Sequence, residues 1–258
     1  MRNSKMSRQL FMFLLPIFIT IYGFCNPNQS KDDKSWIDKP PKEWPQITMI
    51  NHIEYVDKIH PVAGCSFLLD TGDDTLAATA KHILTYFKSE KMNSVSFKNT
   101  LKTWKMYPKN NPSDSVIVDK LINENCDESI NRTIPPKVDW VLFSIREKSN
   151  NIQPLKFRTK PLKIGEKVYI VGWRYSDKEC PQVIYEGNYV KSLDESVIIS
   201  TTTLADNKIP GLSGSPVIDS KGCLIGIMSK KYGKMEQLAS IDYPKEILEK
   251  TILKNKSN

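Results

Sequence analysis

Three short stretches of this chain carry residue types able to do nucleophilic chemistry. The first is Gly211-Leu212-Ser213-Gly214-Ser215-Pro216, followed by Val217 and Ile218. A serine hydroxyl is a weak nucleophile until a base removes its proton and donors receive the oxyanion that forms. Glycine ahead of such a serine lets the backbone bend so that amide N–H groups point at one spot. The segment therefore requires a histidine as base and a carboxylate to orient it.

Histidine is scarce: only His52, His60 and His82 occur. His52 and His60 sit in a polar stretch before the first clear strand and read as solvated surface residues. His82 ends the small-residue run Thr75-Leu76-Ala77-Ala78-Thr79-Ala80-Lys81, where a buried strand can place an imidazole rigidly at a cleft. The carboxylate candidate is Asp139, at the head of Val138-Asp139-Trp140-Val141-Leu142-Phe143-Ser144-Ile145. An aspartate there is costly to bury unless hydrogen-bonded, and orienting an imidazole supplies that bond.

The elements that must hold these residues are mostly strands. Short apolar runs separated by turn residues cover Cys65–Leu69, Leu76–Ala80, Ser94–Phe97, Val116–Val118, Trp140–Ile145, Lys167–Gly172, Gln182–Val190, Ser196–Thr201, Cys223–Met228 and Leu238–Ile241. Asp70-Thr71-Gly72-Asp73-Asp74 marks a hairpin between the first two. Many short strands with few helices predict an all-β barrel or sandwich. One helix is predicted at Pro244–Leu253, with proline at its start and Ile247, Leu248, Ile252 and Leu253 on one face. Residues 98–137 are polar and weakly patterned and read as an elaborated loop region.

With 258 residues, 40% hydrophobic and 26% charged, the composition is that of a globular protein. Arg2, Lys5 and Arg8 supply three of the eight net positive charges. The rest are scattered and not interleaved with aromatics, which argues against a nucleic-acid groove. The same three residues precede an apolar run from Leu10 to Phe24, the pattern of a secretory signal over residues 1–25. The run is short for a membrane span, though an uncleaved anchor stays open, as does lipidation of Cys25. The protein is thus expected outside the cytoplasm: periplasmic, secreted or lipid-anchored. Residues 26–48 read as a polar, proline-punctuated linker or strap. Export permits disulfides. Cys65 and Cys223 lie in apolar runs and read as buried hydrophobes, leaving Cys126 and Cys180, in polar loops, as the expected bridge if one forms. No metal-binding spacing of Cys and His occurs.

Taken together, Thr79-Ala80-Lys81-His82, Asp139-Trp140-Val141-Leu142 and Gly211-Leu212-Ser213-Gly214-Ser215-Pro216 resemble the three motifs of the trypsin-like (chymotrypsin-fold) serine proteases. The nearest flavour is bacterial, including HtrA-type and glutamyl-endopeptidase-type enzymes. Leu162–Gly172 resembles the strand opening the second barrel of that family, and Gly222–Ser229 the strand after the nucleophile. The likeness spans roughly residues 60–250. It implies two six-stranded antiparallel β-barrels with a C-terminal helix, the first barrel in residues 49–150 and the second, with the helix, in 151–258.

The resemblance assigns Ser213 as nucleophile, His82 as general base then acid, and Asp139 as its orienting carboxylate. The N–H groups of Gly211 and Ser213 would form the oxyanion hole, and an extended peptide would pair with Ser229, Lys230 and Lys231. Asn207, six before the nucleophile, would floor the primary pocket, and a neutral side chain there argues against a preference for Lys or Arg. Lys208, Lys230 and Lys231 suggest acidic or polar substrate residues, against the plainer reading of solvated loop lysines. Three departures matter. Leu212 replaces the aspartate of animal members, no Ile-Val-Gly-Gly-like start is visible, and Ile83 stands where animal members have a cysteine. The animal activation switch and histidine-loop disulfide are therefore not expected. No room for a PDZ domain follows Asn258, so a monomer is expected rather than an HtrA-like oligomer. The functional expectation is an exported serine endopeptidase needing no cofactor or metal, acting on protein or peptide. Alternatives are a catalytically silent domain used for binding, or an esterase on the same fold.

Overall fold

Apolar side chains on every second residue, broken by turn-forming residues, make strands that bury one face or both. A computed structural model describes residues 36–130, 133–177, 182–204 and 209–256. The N-terminal half contains β1 (Met49–Tyr55), β2 (Ile59–His60), β3 (Cys65–Asp70), β4 (Thr75–Thr79), β5 (Ser94–Val95), β6 (Leu101–Tyr107), β7 (Val116–Leu121), β8 (Asn125–Ser129), β9 (Val141–Glu147) and β10 (Leu155–Lys156). The C-terminal half contains β11 (Lys167–Gly172), β12 (Val183–Leu193), β13 (Ser196–Thr201), β14 (Pro216–Asp219), β15 (Leu224–Tyr232), β16 (Met235–Ser240) and helix α1 (Asp242–Lys256).

Two closed antiparallel barrels result, each of six strands. In the first the order is β3-β4-β9-β7-β6-β1, and Met49 opposite Ser66 with Ile50 opposite Cys65 closes β1 onto β3. β2 extends the β1 edge, and β10 lies parallel to β3. The second barrel runs β11-β12-β13-β16-β15-β14. Closure leaves few unpaired edges, which suits an all-β chain. The barrels share an apolar interior: Phe67, Trp140 and Leu142 of the first pack in one cluster with Ile218, Leu224 and Ile227 of the second. Trp140 is fully buried, and its indole N–H donates to Ser240 O across the junction at 2.9 Å. That bond ties the strand after Asp139 to the far end of the second barrel.

Several sequence expectations need correction. Residues 98–137 are not a loop region. They contain β6, β7 and β8, with Trp104 and Met106 of β6 buried on either side of Lys105. β5 and β8 form a separate two-stranded ribbon. His52 lies within β1, a strand absent from the expected set, and His60 within β2. Leu253 of α1 is exposed, whereas Leu248 is buried against the core. Residues 36–48, read as linker or strap, lie on the second barrel. Trp44 is buried edge-on against Trp36 and Tyr169, and Gln182 accepts the N–H groups of Ile47 and Thr48. Cys223 is disulfide-bonded while Cys126 is a free, exposed thiol, which reverses the roles expected for these two. Cys223 closes the turn from Asp219 and stands just ahead of β15 rather than inside it. Cys25, Cys180, Asn207 and Lys208 lie outside the described residues, as do residues 1–35, the expected signal among them.

Candidate active site

β4 ends at Thr79, and a 3-10 turn from Lys81 to Thr85 then carries His82 toward the junction of the barrels. Thr85 Oγ1 donates to His82 O at 2.7 Å and pins the turn. Asp139 follows a second 3-10 turn, Pro136–Val138, and precedes β9; it is fully buried. Its Oδ1 accepts the backbone N–H of His82 and its Oδ2 meets His82 Nδ1, both at 2.7 Å. Ser229 Oγ donates to the same Oδ2 at 2.5 Å. The carboxylate thus takes three hydrogen bonds, which offset the cost of burying it. On the other side of the ring, His82 Nε2 lies 2.7 Å from Ser213 Oγ. With a carboxylate at Nδ1, that nitrogen carries the proton, and Nε2 is left as the acceptor for the serine hydroxyl.

The serine is held by a loop folded tightly on itself. Leu212 is fully buried among Leu204, Met228 and Leu238, an anchor whose burial stabilises the loop by about 1.5–3 kcal/mol. The leucine that stands in place of an acid is therefore a packing residue. Gly211 has φ +104°, a conformation only glycine adopts freely, with Trp173 O and Tyr175 N close behind it. The N–H groups of Leu212, Gly214 and Ser215 donate to Ile209, Met228 and Leu212 carbonyls respectively. Those of Gly211 and Ser213 have no acceptor among the described residues. Among the described residues, the N–H groups of Gly211 and Ser213 are thus the two on this loop left to receive an oxyanion.

Across the junction, Cys65 N donates to Ser213 O at 2.7 Å, and Cys65 Sγ lies 3.2 Å from Gly211 O. Burial pushes that thiol up to about 11, so it remains a neutral S–H donor at neutral pH. Buried Asn51 fixes the Ala63–Cys65 stretch, donating to the carbonyls of Ala63 and Cys65. Trp104 Nε1 in turn donates to Asn51 Oδ1 at 3.0 Å.

The structure brings His82, Asp139, Ser213, Gly211 and Ser229 to one place. Ser229, expected to bind substrate through its backbone, also supports Asp139 with its hydroxyl. Lys230 is exposed and lines a cavity of about 400 Å³ with Pro135, Lys137, Glu195 and Gln237. Lys231 points elsewhere, its ammonium 2.8 Å from Glu236. The other two histidines stay apart from this group. His52 meets Glu54 at 3.1 Å. His60 packs edge-on against Tyr55 and Phe87 with a buried Nε2, so it is not a solvated surface residue. Sequence reasoning missed Lys81, whose fully buried ammonium is held by both oxygens of Glu128 at 2.9 Å. Its only signal was a lysine between a small-residue strand and a histidine.

With this geometry, the match of residues 64–227 to the family model of the trypsin-like peptidase domain is decisive. The chain belongs to that family. This trypsin-like peptidase is a serine endopeptidase, a hydrolase. Its fold is similar to that of the Rv3671c protease from M. tuberculosis in its active form, at 12% identity and TM-score 0.53, covering 96% of this chain and 93% of that one. A mutant of the same protease in an inactive form aligns at 12% identity and TM-score 0.51, over 86% and 94% of the two chains. The serine endoprotease from Yersinia pestis aligns at 15% identity and TM-score 0.53, over 80% of this chain and 62% of that one. No curated protein matches the sequence of this peptidase.

Proposed function

We propose that this peptidase cleaves peptide bonds through an acyl-enzyme, with Ser213 as nucleophile, His82 as base and Asp139 as orienting acid. The observation that carries the reading is the continuous relay from Ser213 Oγ to His82 Nε2 and from Nδ1 to Asp139, with both links at 2.7 Å. Ser213 Oγ attacks the scissile carbonyl as its proton passes to His82 Nε2. The carbonyl oxygen takes the negative charge between the Gly211 and Ser213 N–H groups, where each donor is worth about 2.7–4 kcal/mol of barrier. The resulting imidazolium sits against the Asp139 carboxylate and hands its proton to the leaving amine. Water then attacks the acyl-serine by the same relay, releasing the acid and restoring Ser213.

The basic and apolar N-terminal pattern supports export, so the proposed site of action lies outside the cytoplasm. The substrate is proposed to be protein or peptide, bound partly by strand addition at Ser229–Lys231.

A fluorophosphonate probe tests the nucleophile directly. Wild-type protein should be labelled, and Ser213→Ala and His82→Ala should not, while His52→Ala and His60→Ala label like wild type. An unlabelled but folded wild type across neutral to mildly alkaline pH would leave a binding domain as the reading. Loss of labelling in either control histidine would move the base elsewhere.

A further inference from the structure

A buried cation stands next to His82, and the relay that cleaves a peptide makes no use of it. We propose that Lys81 and Glu128 are positioning residues that act through His82. As a pair they hold the turn that carries the base. They also cancel each other's charge, which leaves Asp139 to set how readily His82 takes the serine proton. The inference rests on His82 being the base and assigns the pair a role in tuning it.

The placement follows from the turn. Lys81 and His82 open the 3-10 turn that ends at Thr85, and consecutive Cα atoms lie about 3.8 Å apart. The His82 ring meets Asp139 from the segment before β9 and the neutral hydroxyl of Ser213 from the second barrel. The Lys81 side chain is fully buried. Its ammonium donates to both Glu128 oxygens at 2.9 Å and lies 5.3 Å from the centre of the Tyr243 ring on α1. Glu128 belongs to β8, in the ribbon that stands apart from both barrels. The histidine turn, the ribbon and the C-terminal helix thus meet at one ammonium. The Lys81 N–H also reaches Asp139 O at 3.4 Å, so this residue touches the backbone of the orienting acid as well.

Charge decides what the pair does for the base. A cation near an imidazole opposes its protonation, and an anion favours it. Across roughly 10 Å, at an effective dielectric constant of about 20, one unmatched charge is felt as about one pH unit. Side by side, the two charges largely cancel. Burial makes the pairing obligatory for Lys81, because an unmatched ammonium in the interior is costly. Glu128 is 26% exposed, so water screens it more than it screens Lys81. The two residues are therefore unequal as well as opposite.

The test is the second-order rate of fluorophosphonate labelling of the full chain against pH, with thermal unfolding measured on the same samples. The wild-type rate should rise with pH as His82 becomes free to accept a proton, which gives the profile an acid limb. Glu128→Gln keeps a hydrogen-bond acceptor but removes the anion, and should move that limb to lower pH by about 0.5–1 unit. Lys81→Met removes the cation and should move the limb to higher pH by a smaller amount. Lys81→Met with Glu128→Gln should return it to the wild-type position. A loss of stability alone does not produce opposite shifts that cancel in the double variant. Should Glu128→Gln fail to fold, Lys81→Met against the double variant reads the same cancellation. Limbs that stay in place in both single variants, or move the same way in both, overturn the inference and leave the peptidase reading standing. An unlabelled wild type overturns both.

Discussion

Gly64 sits on the first barrel, yet the structure makes it a determinant of the nucleophile on the second. Its φ is +69°, and a Cβ added there would lie 2.7 Å from Ser213 O and 3.4 Å from Ser213 Cβ. That carbonyl cannot simply rotate away, because Cys65 N donates to it at 2.7 Å. Gly64→Ala therefore asks Ser213 to retreat by roughly 1 Å to reach ordinary contact. The left-handed backbone adds about 1–2 kcal/mol of strain for a residue with a Cβ. Gly165 separates the two effects. It has φ +81° with nothing within 4 Å of an added Cβ, so Gly165→Ala carries the strain without the collision. The serine's approach to His82 and to a bound carbonyl is sensitive to such a shift, since a misplacement of about 1 Å can cost 10²-fold in rate.

The assay is the second-order rate of fluorophosphonate labelling, with thermal unfolding measured on the same samples. Gly165→Ala should lower Tm by about 2–8 °C and label at the wild-type rate. Gly64→Ala should lose more stability and label about 100-fold more slowly. Equal labelling rates for the two variants would refute the reasoning. They would mean that the Gly64–Ser213 contact relaxes without moving the nucleophile.

Other outcomes follow from the same geometry. Glu128→Ala strands the buried ammonium of Lys81 and should destabilise the fold by about 3–5 kcal/mol, whereas Lys81→Met with Glu128→Gln should cost less than the single change; denaturant midpoints decide, and a double variant weaker than the single contradicts it. Iodoacetamide at pH 8 should modify exposed Cys126 and spare Cys65, whose thiol burial holds near 11; mass spectrometry of the folded protein finding carbamidomethyl-Cys65 would overturn the buried-donor role. Asp177 resists the upward push of burial because Arg174 and Tyr185 hydrogen-bond its carboxyl and hold it below the usual range. That stability is in place above about pH 3.9, the unfolded value, and is lost as pH falls through the lower folded one. Asp177→Asn should therefore be less stable at pH 7 and show a flatter fall in stability on acidification, read from Tm against pH. An unchanged acid limb would mean that the network adds nothing.

The chain's chemistry was more legible than its scaffold, for a physical reason. His82 and Asp139 announce themselves because each is a polar residue at the edge of an apolar run, where burial demands a partner, and Ser213 because it stands between Gly211 and Gly214. The distances among them depend on barrel closure, which no local pattern encodes. β6 was missed because Lys102, Thr103 and Lys105 break up its apolar pattern. Trp104 and Met106 alone mark the inward face. The lysines near the cleft misled in the opposite direction. A lysine in sequence reads as a free charge, but charge is a property of the environment. Lys231 meets Glu236 only because β15 and β16 pair in a register that sets them opposite each other. Lys81 meets Glu128 only because a ribbon outside both barrels folds back onto the histidine turn. Leu212 carries the same lesson without charge: it looks like the loss of an activating acid, and it is the buried anchor of the nucleophile loop. The motifs name the reacting atoms, while the partners that folding brings to the neighbouring lysines set the charge around them.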